Sequence, residues 1–168
     1  MDASIELANQ LQKAGIQVVY ESHDFSKWLN SKQLDYNYSY WASNYYLNEA
    51  IVKHGGFDLI IDFHRDAIPR ESSFIKINDK SYAKMMFVVG GLSKNVDNIK
   101  DLSYVLTKQV NHLENGVMKS VMIKEAYYNQ DVSENMVLIE VGSNTNTYQE
   151  VCNSTKLLGE AIIKYLMR

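Results

Sequence analysis

The stretch Phe57-Asp58-Leu59-Ile60-Ile61-Asp62-Phe63, followed at once by His64-Arg65-Asp66, reads as a buried strand that runs out onto chemically loaded residues. Its length and its Leu-Ile-Ile centre suit a strand covered on both faces, the habit of parallel sheets. Gly55-Gly56 stand before it as the stop of a helix over 35–54, in which Tyr36, Tyr40, Leu47 and Ile51 keep helical spacing. Met136–Val141 is a second strand of the same kind, halted by Gly142. Ala83–Val89 is a third, closed by Gly90-Gly91, and the short β-branched run Ile16–Tyr20 after Gly15 is a fourth. These four are expected in one sheet. Lys119–Ala126 reads as a weaker strand.

Helices fill the spaces between. Ile5, Leu7, Ala8 and Leu11 mark one near the start of the chain. Val96, Ile99, Leu102, Leu106, Val110 and Leu113 mark a second, and Val151, Leu158, Ala161, Ile162 and Tyr165 a third over Thr147–Leu166. Segments 21–34 and 64–79 read as loops. Strands alternating with helices predict an α/β layer fold, a single domain over 1–168 with a mostly parallel or mixed central sheet flanked by helices. A helix that opens the chain and feeds straight into a buried strand suggests that a first strand ahead of it is missing.

Composition narrows the function. Of 168 residues, 46% are apolar and 22% charged, the make-up of an ordinary globular domain. Seventeen basic against twenty acidic residues leave a net charge of −3. That argues against a nucleic-acid binder working by bulk electrostatics. One cysteine, Cys152, excludes an internal disulfide framework and reads as a small core residue. No apolar run approaches the roughly 20 residues of a membrane span, and the N-terminus lacks the basic and apolar regions of a signal peptide.

Ligands of open α/β sheets gather beyond the carboxyl ends of the strands. His64 stands there with the right chemistry for a metal ligand or general base, or as a polar strand end bonded to a loop. Glu140 lies among Val, Leu and Ile, where a carboxylate is costly unless it is paired, protonated or facing a metal. Alternation puts Met136, Leu138 and Glu140 on one face of their strand. An ion pair of Glu140 with Arg65 or a lysine is the plain alternative. Asp58 and Asp62 read as structural. Arg65 could orient a substrate carboxylate, and Asp66 is better placed than Arg65 to share the side of His64. His23, in Ser22-His23-Asp24, is either half of a catalytic pair or a bonded loop residue. His54 suits the helix dipole, and His112 falls on an exposed helix side. The aromatics Tyr36, Tyr38, Tyr40, Trp41, Tyr45 and Tyr46 could stack sugar rings or pack core and rim.

In these motifs the chain resembles the stage II sporulation protein P family of N-acetylmuramoyl-L-alanine amidases. The resemblance rests on His23-Asp24, Tyr36 through Ser43, Ile61 through Asp66, Met86 through Gly90, Tyr128-Asn129-Gln130-Asp131, Leu138 through Gly142, Asn146-Thr147 and Glu150. It implies a zinc-dependent hydrolase of peptidoglycan, cutting the amide between N-acetylmuramic acid and L-alanine during engulfment in endospore formation. It implies His64 as a zinc ligand, Glu140 as the catalytic glutamate, and Arg65, Asp66 and Asn129 as substrate-binding or supporting residues. It implies a membrane-anchored, extracytoplasmic protein that works beside stage II sporulation protein D. The family's pattern begins with a His-Thr-His type motif and a further acidic ligand that would precede the first helix. With only His64 carried over, zinc is expected to bind weakly or not at all. An alternative is a catalytically incomplete relative that holds peptidoglycan or a partner without cutting. An unrelated α/β enzyme using His64 and Glu140 as an acid-base pair is a further one.

Overall fold

A computed structural model describes residues 3–167. Helix α1 (Ala3–Lys13) presents Leu7, Ala8 and Leu11 to the core and stops at Gly15, whose φ of 85° is the left-handed value that glycine adopts freely. Short helix α2 (Phe25–Ser31) follows, then a 3₁₀ turn (Tyr36–Tyr38) and helix α3 (Ser39–His54). Strand β1 (Ile60–Asp66) leads through helix α4 (Arg70–Ser73) into a hairpin of β2 (Phe74–Ile77) and β3 (Lys80–Ala83). Strand β4 (Met85–Gly90), helix α5 (Val96–Leu113), strands β5 (Met122–Lys124) and β6 (Met136–Ser143) and helix α6 (Tyr148–Leu166) complete the order.

The main sheet runs β1-β6-β4-β5. β1 and β6 are parallel, as are β4 and β5, while β4 and β6 are antiparallel. The sheet is therefore mixed. Val137, Ile139 and Val141 of β6 point into the main core with Phe87, Leu106, Leu158 and Ile162 from β4, α5 and α6. Leu138 points the other way, into a small cluster with Met86, Val88 and Tyr128. The alternation expected of β6 holds, and Glu140 falls on the thinly covered second face.

Four expectations are corrected. Ile16–Tyr20 is extended, with Ile16 and Val18 packed on the core, but among the described residues no strand pairs with it. Alternating β-branched residues set a strand's faces, not its hydrogen-bond partner. The strand expected at 57–63 begins and ends three residues later, since β1 pairs with β6 as far as Asp66↔Ser143. Its polar end, His64-Arg65-Asp66, is thus strand rather than loop. Segment 21–34 contains α2, capped by Asp24, whose carboxylate accepts from the Ser26 and Lys27 N–H groups at 3.0 and 3.3 Å. Segment 64–79 contains α4 and most of a hairpin, and Lys84 separates β3 from β4. Among the described residues no helix is long and apolar enough to cross a membrane.

Candidate active site

Parallel pairing sets His64 of β1 directly against Glu140 of β6. Cα atoms on neighbouring strands lie about 4.8 Å apart in the pairing direction, so the two side chains rise together on the second face. Asp62, two residues before His64, shares that face, and its Oδ1 lies 2.8 Å from His64 Nε2. This contact raises the His64 pKa; burial opposes it, and the charges of Asp62 and Glu140 add to the rise. The partner of His64 is therefore Asp62, which alternation alone had left as structural. Beyond His64 the register slips in a bulge before Asp66. Asp66 Oδ1 accepts from the Ala67 N–H at 2.7 Å, and its charge helps to raise the pKa of Glu140.

Glu140 is half-buried. Burial is the main force raising its pKa; His64 and Lys124 pull it down, and Asp66 and Asp62 push it up. Among the described residues four buried side-chain polar atoms have no hydrogen-bond partner. Three are hydroxyls of Ser103, Thr107 and Thr155, and the fourth is Glu140 Oε2. The ion pair with Arg65 does not form. Arg65 turns away and donates to the backbone carbonyls of Ser143 and, at 2.8 Å, Asn146, bracing the turn between β6 and α6.

Tyr40 of α3, which the sequence offers as a helical and aromatic-cluster residue with no catalytic role, is a member of the site. It is half-buried, and burial, then the charges of Asp62, Tyr128 and Glu140, raise its pKa far above the ordinary tyrosine value. Its hydroxyl stays protonated and able to donate. Asn129 holds α3 in this position. Its Nδ2 donates to the Tyr40 carbonyl and to Ser43 Oγ, both at 2.9 Å, and its Oδ1 accepts from Asn44 at 3.2 Å. Every polar atom of that amide is thereby engaged within the protein. Tyr128 and Asn129 both have left-handed backbone, with φ of 50° and 56°, a conformation that must be held from outside. Fully buried Gln130 holds it, accepting from the Gly90 N–H at 2.7 Å and donating to the Val88 carbonyl at 3.0 Å. The stretch Tyr128-Asn129-Gln130-Asp131 is one of those that carry the resemblance, but nothing in it marks Gln130 as a clamp.

His23 lies elsewhere, stacked on Tyr46 at 4.1 Å and bonded to Glu21 at 2.6 Å. Cys152 is buried on α6. Among the described residues no group of three or more His, Cys, Asp or Glu side chains is arranged to hold a metal ion. His64 brings one imidazole.

Comparison with known proteins bears on the family and the fold. The family model of Stage II sporulation protein P matches residues 1–163. The stage II sporulation protein P of Bacillus subtilis (strain 168) is 31% identical over 146 residues, which take in 84% of this chain and 36% of that protein. The chain thus spans about a third of the length of the curated relative it matches. Among solved structures, the N-acetylmuramoyl-L-alanine amidase AmiC2 of Nostoc punctiforme superposes with a TM-score of 0.60 at 11% identity. That alignment covers 99% of this chain and 81% of AmiC2. At that identity the likeness is one of fold.

Proposed function

The chain belongs to the stage II sporulation protein P family, and from that premise we propose that it hydrolyses the amide between N-acetylmuramic acid and L-alanine of peptidoglycan during engulfment in spore formation. The observation that carries the reading is the unpartnered Glu140 Oε2, held beside His64 by strand register.

A carboxylate with a raised pKa and a free oxygen is suited to take a proton from an attacking water and deliver it to the leaving amine. Asp62 fixes the His64 ring through Nε2. Tyr40, kept protonated, is a hydrogen-bond donor for the same space. The second face of the sheet supplies partial desolvation, which strengthens each of these interactions.

His64 would be the contribution of these residues to a zinc site. Zinc hydrolases use about three protein ligands and an open position, and the described residues do not complete that set. The chemistry derivable from this chain is that of Glu140 and its neighbours. Extracytoplasmic action, membrane anchoring of the protein and partnership with stage II sporulation protein D belong to the proposal.

The test is release of peptides with a new N-terminal L-alanine from purified peptidoglycan by the protein at its full natural length. Failure to release such peptides, with wall binding retained, would establish the non-cutting alternative. Equilibrium dialysis of the 168-residue chain should find only weak zinc binding. Tight stoichiometric binding would show that donors other than His64 assemble in solution.

A further inference from the structure

A groove of about 1220 Å³ lies between segment 19–23 and the outer side of α3. It exceeds the roughly 300–1,000 Å³ of ordinary small-molecule pockets, a size suited to an extended chain. Its walls carry exposed aromatic rings. Trp41 is 60% exposed, Tyr45 46% and Tyr20 41%. Trp41, Tyr45, Asn48 and Val52 follow one another at helical spacing, and all four are exposed. At 1.5 Å per residue this stripe is about 16 Å long, the span of a few linked sugars.

The rings are braced. Tyr38 meets the Trp41 ring edge-on at 4.7 Å, Trp28 leans on Tyr45 at 5.6 Å, and the Tyr45 hydroxyl donates to Glu49 at 2.8 Å. Fixed flat rings lose little entropy when a ligand stacks on them. Between them stand amides, with Asn48 donating to Asn44 Oδ1 at 2.9 Å and Asn44 in turn bonded to Asn129. Two carboxylates, Glu21 and Glu49, stand against one lysine, Lys53, along the lining, which disfavours an acidic polymer. Rings interleaved with amides differ from the continuous aliphatic face that a partner helix requires. The groove borders the candidate active site, because Tyr40 and Asn129 line it and Tyr40 is near enough to Asp62 and Glu140 for their charges to raise its pKa.

We infer that this groove binds the glycan strand, a β-linked chain of N-acetylated amino sugars, with Trp41 and Tyr45 as the stacking platforms. The inference rests on the proposed wall hydrolysis for its direction, since the groove borders the site of Glu140 through Tyr40.

The chain has two tryptophans, Trp28 and Trp41, one in the groove lining and the other packed on a lining tyrosine. Intrinsic fluorescence therefore reports the groove directly. Titration with the β-1,4-linked tetramer of N-acetylglucosamine, which carries no peptide, should give a saturable change. An α-linked glucose tetramer should give none. Trp41→Ala and Tyr45→Ala, at exposed positions where folding is tolerant and checked by thermal melting, should each weaken binding about tenfold as read by calorimetry. Absence of binding, or undiminished binding by Trp41→Ala, overturns the inference. So does a finding by sedimentation that Trp41→Ala dissolves a dimer, because the stripe would then be covered by a second copy. Wall cleavage without tetramer binding sinks the groove alone, and tetramer binding without wall cleavage sinks the proposed function alone.

Discussion

Glu140 and Glu150 sit ten positions apart on the same strand-and-helix unit and live in opposite surroundings. Glu150 is 3% exposed. Both nitrogens of the Arg70 fork reach it, Nε at 3.2 Å, and Asn146 Nδ2 and the Thr147 N–H donate to it at 3.0 and 3.1 Å. Burial pushes its pKa up, but Arg70, Asn146 and Thr147 together prevail and lower it. Its contact with Thr147 also closes the capping box that starts α6. Glu140 is less buried, yet one oxygen has no partner and its pKa is raised. The satisfied carboxylate ties the framework together. The unsatisfied one is held in place by its strand neighbours with a buried oxygen left unpaired, and buried unpaired groups in native proteins ask for a functional explanation.

The sharpest way to break this contrast is to neutralise each carboxylate. Glu140→Gln keeps the shape and removes the proton acceptor, so peptide release should fall on the order of 10²–10⁴-fold while the melting temperature stays level or rises. If Glu140 were instead the partner of a cation, the variant would melt several degrees lower and, once folded, cut at the parent rate. Glu150→Ala should do the reverse. Losing a buried, multiply bonded carboxylate costs about 3 kcal/mol, which lowers the melting temperature by about 6–12 °C. Activity per folded molecule should survive.

The pH dependence sharpens the comparison because the two shifts have opposite sign. Glu150 has a depressed folded pKa, so its stabilising contribution is complete above the unfolded value near ~4.3 and disappears as pH falls through the folded value. Glu140 has a raised folded pKa, so its penalty is complete above that folded value and relieved as pH falls toward the unfolded one. Melting curves of Glu140→Gln and parent should therefore converge on acidification. Curves of Glu150→Gln and parent should converge only at still lower pH. The smallest effect is expected of Asn129→Gly, about 1–2 kcal/mol of stability, because glycine keeps the left-handed backbone and only the amide bonds that hold α3 are lost. A larger fall in peptide release than in stability would show that Tyr40 needs this clamp.

Legibility followed the length of the signal. The six-position apolar stripe of α5 and the apolar run of β6 appear where the spacing puts them. The seven residues of α2 are too few for periodicity to stand out, although Asp24 before Phe25 is a readable cap. The polar end of β1 read as loop because a strand facing a site is polar on that face. His64 and Glu140 were legible as candidates, the one from strand-end position and the other from a carboxylate among aliphatics. The roles of Tyr40 and Gln130 were not, since each acts through partners far away in the chain, and that of Asp62 was not, since sharing a strand face with His64 does not by itself say that the two bond.

The chain by itself determined which residues must be buried, and hence the alternation of helices and strands and the oddity of a glutamate at 140. Burial is a local property of side chains and leaves a local pattern. Which strands pair, and in which register, was decided only in three dimensions. Ile16–Tyr20 has a strand's pattern and no ladder, while His64 meets Glu140 because β1 and β6 align there and nowhere else. Hydrogen bonds between strands join backbone groups that every residue carries alike. Their selection comes from packing the whole sheet against α5 and α6, and no single stretch of sequence encodes it.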